Sequence, residues 1–525
     1  MNTVSIFNND VGTMKATAHP PALRSRTTAT SSSYCIGKVL GSLAILSVLL
    51  LTTSLQSAEF AATGPTQETK LPPAKFLGAV KVTFDLHRTT MSFDPPWHFC
   101  SVAENGLKFA HFAAETYDPR KRDGKGADAS FEPGMDQEGR FARVWIEHQS
   151  PARIVVWVQY ALNNSKYDIA HDDLKTGSPY NDGKGDWAEE RFTIYPDGTY
   201  LRHMKIHTGL AAMSQPTGWF REPPAVVHEF MESIVIGPAG HKPTDDIQTS
   251  PALSLFKMFG NHSSTIFAAG ARQDIAYERP GGPPRDYGDF RDANIMLIHA
   301  KSQSRPFTIG LPYGVKASAY GWEQERAYPF ATWTGYRERS IGYISALGHL
   351  TNYWHFRRTE STLEQVYLHG MTDSEKPQSE ILKLAWSWIS PPELQMPDAG
   401  KSPNDSTGQY NVFTYDQTQK AYIVPRTKTG PAHISFALDA IYDDSYLKGT
   451  MWLVNPAFVV KSWNQPEAGF RFELDGKVLT DGTDYRFGFE QTAAGKDLVI
   501  WLNKTLDLNV RDEHRTEIVI FPNRP

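Results

Sequence analysis

RFTIYPDGTYLRHMKIHT, residues 191–208, reads as two strands around one turn. β-Branched and aromatic residues flank a Pro-Asp-Gly corner, and glycine accepts the positive φ of such a corner without steric cost. The same composition recurs in RIVVWVQYAL (153–162) and NIMLIHAKS (294–302). Asp-Gly pairs at 123–124, 182–183, 475–476 and 481–482 add further hairpin signals. Helical spacing is clearest in SEILKLAWSWI (379–389). The expectation is an all-β chain: a large multi-sheet β-sandwich over 65–390, a Pro/Ser/Asp/Gly linker over 390–409, and a smaller C-terminal β-sandwich over 410–525. Short strand-like runs such as HISFALDAIY, TMWLVNPAFVV and DLVIWLN carry the last of these.

Composition narrows the function classes. At 525 residues the chain exceeds what one core usually holds, and with 40% hydrophobic and 12% aromatic residues it can bury large cores. The formal net charge of −5 gives no support to nucleic-acid binding. Arg24, Arg26 and Lys38 precede an apolar run from Val39 to Leu51, the pattern of an export signal over 1–58 with cleavage after Ala58. That reading predicts a secreted or periplasmic protein with no membrane span after cleavage; an uncleaved anchor is the alternative. Cleavage removes Cys35 and leaves Cys100 alone, so the mature chain has no intrachain disulfide, and Cys100 reads as a buried apolar cysteine.

PPAVVHEFMESIVI (223–236) holds His228, Glu229 and Glu232. On a helix His228 and Glu232 would be neighbours, in a near miss of the HExxH zinc signature. Pro223-Pro224 and Gly237-Pro238 bracket the run, and its composition is that of a strand. On a strand the two residues lie roughly 13 Å apart and cannot chelate one metal. No metal and no cofactor are expected. The strand is either scaffolding with paired acids or the floor of a polar cleft, since ionisable groups are costly to bury unpaired.

A second patch, 327–371, concentrates Trp333, Tyr336, Arg337, Arg339, Asn352, Trp354, His355, Arg357 and Arg358. Flat aromatic faces suit sugar rings, and arginine forks suit carboxylate or sulfate. A polar aromatic surface is the plainer reading of the same density. Phosphate-loop, nucleophile-elbow, CxxC and EF-hand motifs are all missing from the sequence.

Four blocks in order carry a resemblance: WAEERFTIYPDGTYLRHMKIHTG, HEFMESIVIGPAGHKPTDDI, LHGMTDSEKPQSEILKLAWSWISPPEL, and LVNPAFVVKSW with DGKVLTDGTDYRFG. Together they resemble ulvan-lyase-like secreted polysaccharide lyases of marine polysaccharide-degrading bacteria, over about 185–525. The resemblance implies β-elimination on an acidic, uronate-containing and sulfated glycan, with that polysaccharide as partner. Residue types then suggest His228 and Tyr336 as base and acid and Arg337 as the neutralising cation, with Arg202 and Asn352 as its rivals. Trp333, Trp354 and Arg357 would hold sugar and sulfate. Thr334-Gly335 stands where such relatives are expected to carry Asn-His. That departure keeps a non-catalytic glycan-binding envelope protein open as an alternative, and a glycoside hydrolase using Glu229 and Glu232 is another.

Overall fold

A computed structural model describes residues 80–522 apart from 87, 94–99, 113, 118–129, 137–138, 165, 173–183, 209–227, 230, 249–250, 259–264, 268–292, 313–314, 320–340, 353–355, 396–414, 425–433, 440–449, 464–469 and 510–515. The hairpin over 191–208 forms as expected, with Trp187–Ile194 and Tyr200–His207 paired antiparallel from Ile194↔Tyr200 to Trp187↔His207. Its turn places Pro196 second and Gly198 at φ +78°, with the Gly198 amide donating to the Tyr195 carbonyl at 3.0 Å.

This hairpin lies inside a ten-stranded antiparallel sheet. The order is Thr265–Phe267, Leu253–Phe256, Ile295–Ile298, Arg305–Gly310, Thr362–Thr372, Tyr200–His207, Trp187–Ile194, Ile154–Ala161 and Arg143–Gln149, with Arg357–Arg358 also paired to Thr362–Thr372. A seven-stranded sheet packs against it: Val80–Val82, Thr90–Phe93, Cys100–Glu104, Leu107–Phe112, Glu232–Pro238, Ile341–Asn352 and Val315–Ala319. Period-two alternation builds the core between them. Phe93, Phe109 and Val235 from one sheet meet Val156, Phe192, Met204 and Tyr367 from the other, and the rings of Phe93 and Phe192 meet edge-on at 4.9 Å.

The expected strand at 223–236 is interrupted. His228–Glu229 pairs with Glu115–Tyr117 in a separate three-stranded sheet, whereas Glu232–Pro238 joins the seven-stranded one. The single strand expected there is therefore two strands in different sheets, with 223–227 and 230 outside the described residues. A strand keeps one face only while its ladder continues, and here the ladder changes sheet.

The opposite face of the ten-stranded sheet is divided. Leu201, Val366, Leu368 and Phe307 pack under the helix Pro377–Ile389 and the C-terminal sandwich, in a cluster with Trp388, Phe458 and Trp501. Burying such large apolar side chains stabilises by roughly 1.5–3 kcal/mol each. The helix matches the expected 379–389 within two residues at its start. The C-terminal sandwich has two five-stranded sheets, and its strand Glu393–Gln395 lies inside the stretch read as linker. Three residues, Glu-Leu-Gln, are too short and too weak in strand preference to show as a periodic run.

The two sandwiches are keyed together within one compact unit, Ala62–Pro525. Buried Arg153 grips Glu490 with two bonds of 2.7 Å and donates to Gln419 at 2.8 Å. Burial alone would raise the Glu490 carboxyl, but Arg153 more than reverses this and holds it below the usual range. Gly488 allows the approach, because a Cβ there would sit 2.1 Å from the Cβ of Ser150. Arg153→Met should destabilise the protein by about 3–5 kcal/mol by stranding Glu490, and Arg153→Met with Glu490→Met should recover most of that loss. Urea midpoints of the two variants measure the difference.

Candidate functional site

The ten-stranded sheet sorts its ionisable residues by face. Along Tyr200–His207 the inward side chains are Tyr200, Arg202, Met204 and Ile206, and the outward ones are Leu201, His203, Lys205 and His207. The two sets differ in burial and in chemistry.

The inward polar groups form a closed seam. Arg202 donates to both oxygens of Glu190, Nε at 2.7 Å and Nη2 at 2.9 Å, and Tyr160 donates to the same carboxylate. Tyr160 also accepts the Ala114 amide at 3.0 Å. All three residues are at most 2% exposed. Burial would lower the Arg202 pKa, but the adjacent Glu190 charge outweighs it and keeps the guanidinium ionised. Tyr367 reaches the Leu350 carbonyl of the facing sheet, and Thr308 bonds His369 at 2.9 Å. The reading of Arg202 as a rival neutralising cation at the substrate is therefore corrected. Its guanidinium is enclosed between two sheets and engaged by Glu190, so it ties the core.

The outward groups form rows set by strand register. One row runs Val366, His203, Arg191, Trp157, Trp145, and the next runs Glu364, Lys205, Glu189, Gln159, Arg143. His203 Nε2 lies 2.9 Å from Glu364 Oε2, with side chains 20% and 11% exposed. This hydrogen bond holds the Glu364 carboxyl below the usual range. His207 Nε2 lies 3.3 Å from Glu189 Oε2 and acts on that carboxyl in the same direction. Arg357 stands opposite Glu364 in the ladder, with its guanidinium 5.0 Å from the Phe356 ring centre, and Phe356 in turn meets the edge of His203 at 6.3 Å.

The residues expected from sequence distribute as follows. Arg357 lies beside the His203–Glu364 pair, on the outward face. His228 is on the three-stranded sheet, and Asn352 is on the seven-stranded sheet opposite Val315, so the backbone of neither belongs to the ten-stranded sheet. Trp333, Tyr336, Arg337 and Trp354 lie outside the described residues. His203, Glu364, Glu189 and His207 were missed by sequence reasoning. The available signal was YLRHMKIH itself, whose alternate histidines and lysine share one face of a strand. Among the described residues no group of three or more His, Cys, Asp or Glu is arranged to hold a metal ion, and no helix is long and apolar enough to cross a membrane.

No family model and no curated protein matches the chain. Among solved structures, it is similar to an alpha-N-acetylgalactosaminidase from Bifidobacterium bifidum in complex with GalNAc, at 11% identity and a TM-score of 0.31, over 58% of this chain and 38% of that one. It is also similar to a protein in glycosyl hydrolase family 38 from Enterococcus faecalis, at 8% identity and a TM-score of 0.29, over 60% of this chain and 32% of that one. A galactose 1-epimerase from Lactobacillus acidophilus NCFM shows 7% identity and a TM-score of 0.22, over 57% of this chain and 99% of that one. The chain thus spans less than half the length of the first two. Likeness at this level leaves the activity to be argued from the site.

Because Glu364 is held below its ordinary value by His203, its bond contributes stability above the unfolded value near 4.5 and loses it as the pH falls through the lower folded value. Glu364→Gln should therefore lower the melting temperature at neutral pH, and the gap from wild type should close as the solution is acidified below 4.5. Thermal melts across that range check the sign.

Proposed function

We propose that the protein is a secreted polysaccharide lyase that cleaves an acidic, uronate-containing glycan by β-elimination on the outward face of the ten-stranded sheet. The observation that carries this reading is the His203–Glu364 pair, set among Lys205 and Arg357. Glu364 engages Nε2 of His203, which fixes the ring and leaves Nδ1 to approach substrate. His203 then takes the proton alpha to the uronate carboxylate. The C–H electron pair becomes the ring double bond, and the bond to the leaving oxygen breaks. That oxygen is protonated by an acid, for which the sequence offers Tyr336. Lys205 and Arg357 neutralise the uronate charge as it spreads, as cations near a developing enolate do. Export rests on the apolar run Val39 to Leu51 behind Arg24, Arg26 and Lys38.

One observation favours a hydrolase instead. Glu189 and Glu364 flank Lys205 on one face, their backbones two strand spacings or roughly 10 Å apart, so two carboxylates share that face as inverting glycosidases require. A hydrolase of that kind needs one carboxyl with a raised pKa to act as acid. Here the histidine partners lower both, so neither is kept protonated. Elimination, which takes base and acid from elsewhere, fits the electrostatics better.

Incubation with a panel of acidic algal glycans should produce ultraviolet absorbance from unsaturated uronate, and His203→Ala should lower the rate by about 10²-fold or more. Chain cleavage without that absorbance would establish hydrolysis, and saturable binding without cleavage would establish a binding protein. An unchanged rate in His203→Ala would remove the assigned base.

A further inference from the structure

We propose that Trp157 and Arg191, tied together by Glu147, form a subsite for a sugar ring bearing an anionic group, either a sulfate ester or a carboxylate. The inference rests on the glycan-directed reading above and adds a place that selects the substrate's charge.

The local backbone is built for this contact. Arg143–Gln149 carries a β-bulge between Ile146 and His148, where Ile146 opposes Val156 and His148 opposes Val155. Glu147 lies in this bulge and, by alternation with Arg143 and Trp145, on the outward face. One oxygen of Glu147 then accepts two bonds, from the Trp157 indole at 2.8 Å and from Arg191 Nε at 3.1 Å. Trp145 stacks on Trp157 at 6.0 Å with the planes 4° apart, which fixes the indole. Glu147 takes Arg191 through Nε, so among the described residues the terminal nitrogens of the guanidinium remain for a ligand, and the side chain keeps 21% exposure.

The neighbouring acids do not consume that charge. Glu490 and Asp416 of the C-terminal sandwich lie within electrostatic reach of Arg191. Glu490 is bound by both arms of Arg153, and Asp416 accepts from Thr418 and Gln419. Arg191 and His203 are also direct cross-strand partners, about 5 Å apart. A polymer lying along the row would place an anionic ring at Arg191 and its neighbour near His203. The half-buried Glu147–Arg191 pair adds little to stability by itself.

The test uses the purified full chain with sulfated ulvan fragments, the same fragments desulfated, and the same fragments carboxyl-reduced, followed by calorimetry. Arg191→Gln should weaken binding at least tenfold for fragments that carry the recognised anion and leave the others unchanged. Losing the effect on desulfation identifies the sulfate, and losing it on carboxyl reduction identifies the carboxylate. Trp157→Ala should weaken all fragments. In turnover, Arg191→Gln should raise KM with kcat held. Should Arg191→Gln melt early, Glu147→Gln, which keeps Trp157 and Arg191 but weakens their tie, should still cost several-fold in affinity. Equal affinity of wild type and both variants for every fragment overturns the subsite. Arg191-dependent binding without elimination keeps the subsite and rejects the lyase, and elimination with Arg191-independent KM does the reverse.

Discussion

The buried ion pair between Arg202 and Glu190 is the interaction on which the rest of the molecule depends. Two charges at most 1% exposed are tolerable only with each other, so the pair admits one register of the central hairpin. A slip of one residue would turn Arg202 outward and drive His203 and Lys205 into the apolar layer. The register that closes the Arg202–Glu190 bonds is also the one that presents His203 to Glu364 and aligns it with Arg191, Trp157 and Trp145.

The same strands thus carry two polar systems with opposite purposes. In the inward one, Tyr160, Glu190 and Arg202 bond one another and join the sheet's interior. The outward one is partly exposed, with histidines held by carboxylates and cations beside aromatic rings. Such groups can exchange protons or bind anions, because their partners orient them without enclosing them.

The C-terminal sandwich decides where the outward system begins. It and the helix Pro377–Ile389 cover the part of the face that bears Leu201, Val366 and Leu368, and Arg153–Glu490 and Gly488 hold it there. The row of Arg191 and Trp157 lies beside that boundary, since Arg191 acts electrostatically on Glu490 and Asp416. A linker cut made at 390–409 on composition alone would split the strand Glu393–Gln395 from its own sheet.

The sequence by itself determined what is local. Alternation in residues 191–208, the Asp197-Gly198 turn, the helix near 379–389 and the all-β class follow from periods and turn chemistry within a few residues. Only the tertiary structure decided which strands are neighbours, which face each covers, and therefore which charges meet. Arg202 and His203 are adjacent in the chain, yet one is enclosed by Glu190 and the other is paired with Glu364, 161 residues away. That difference comes from pairings between distant strands, which no local period encodes.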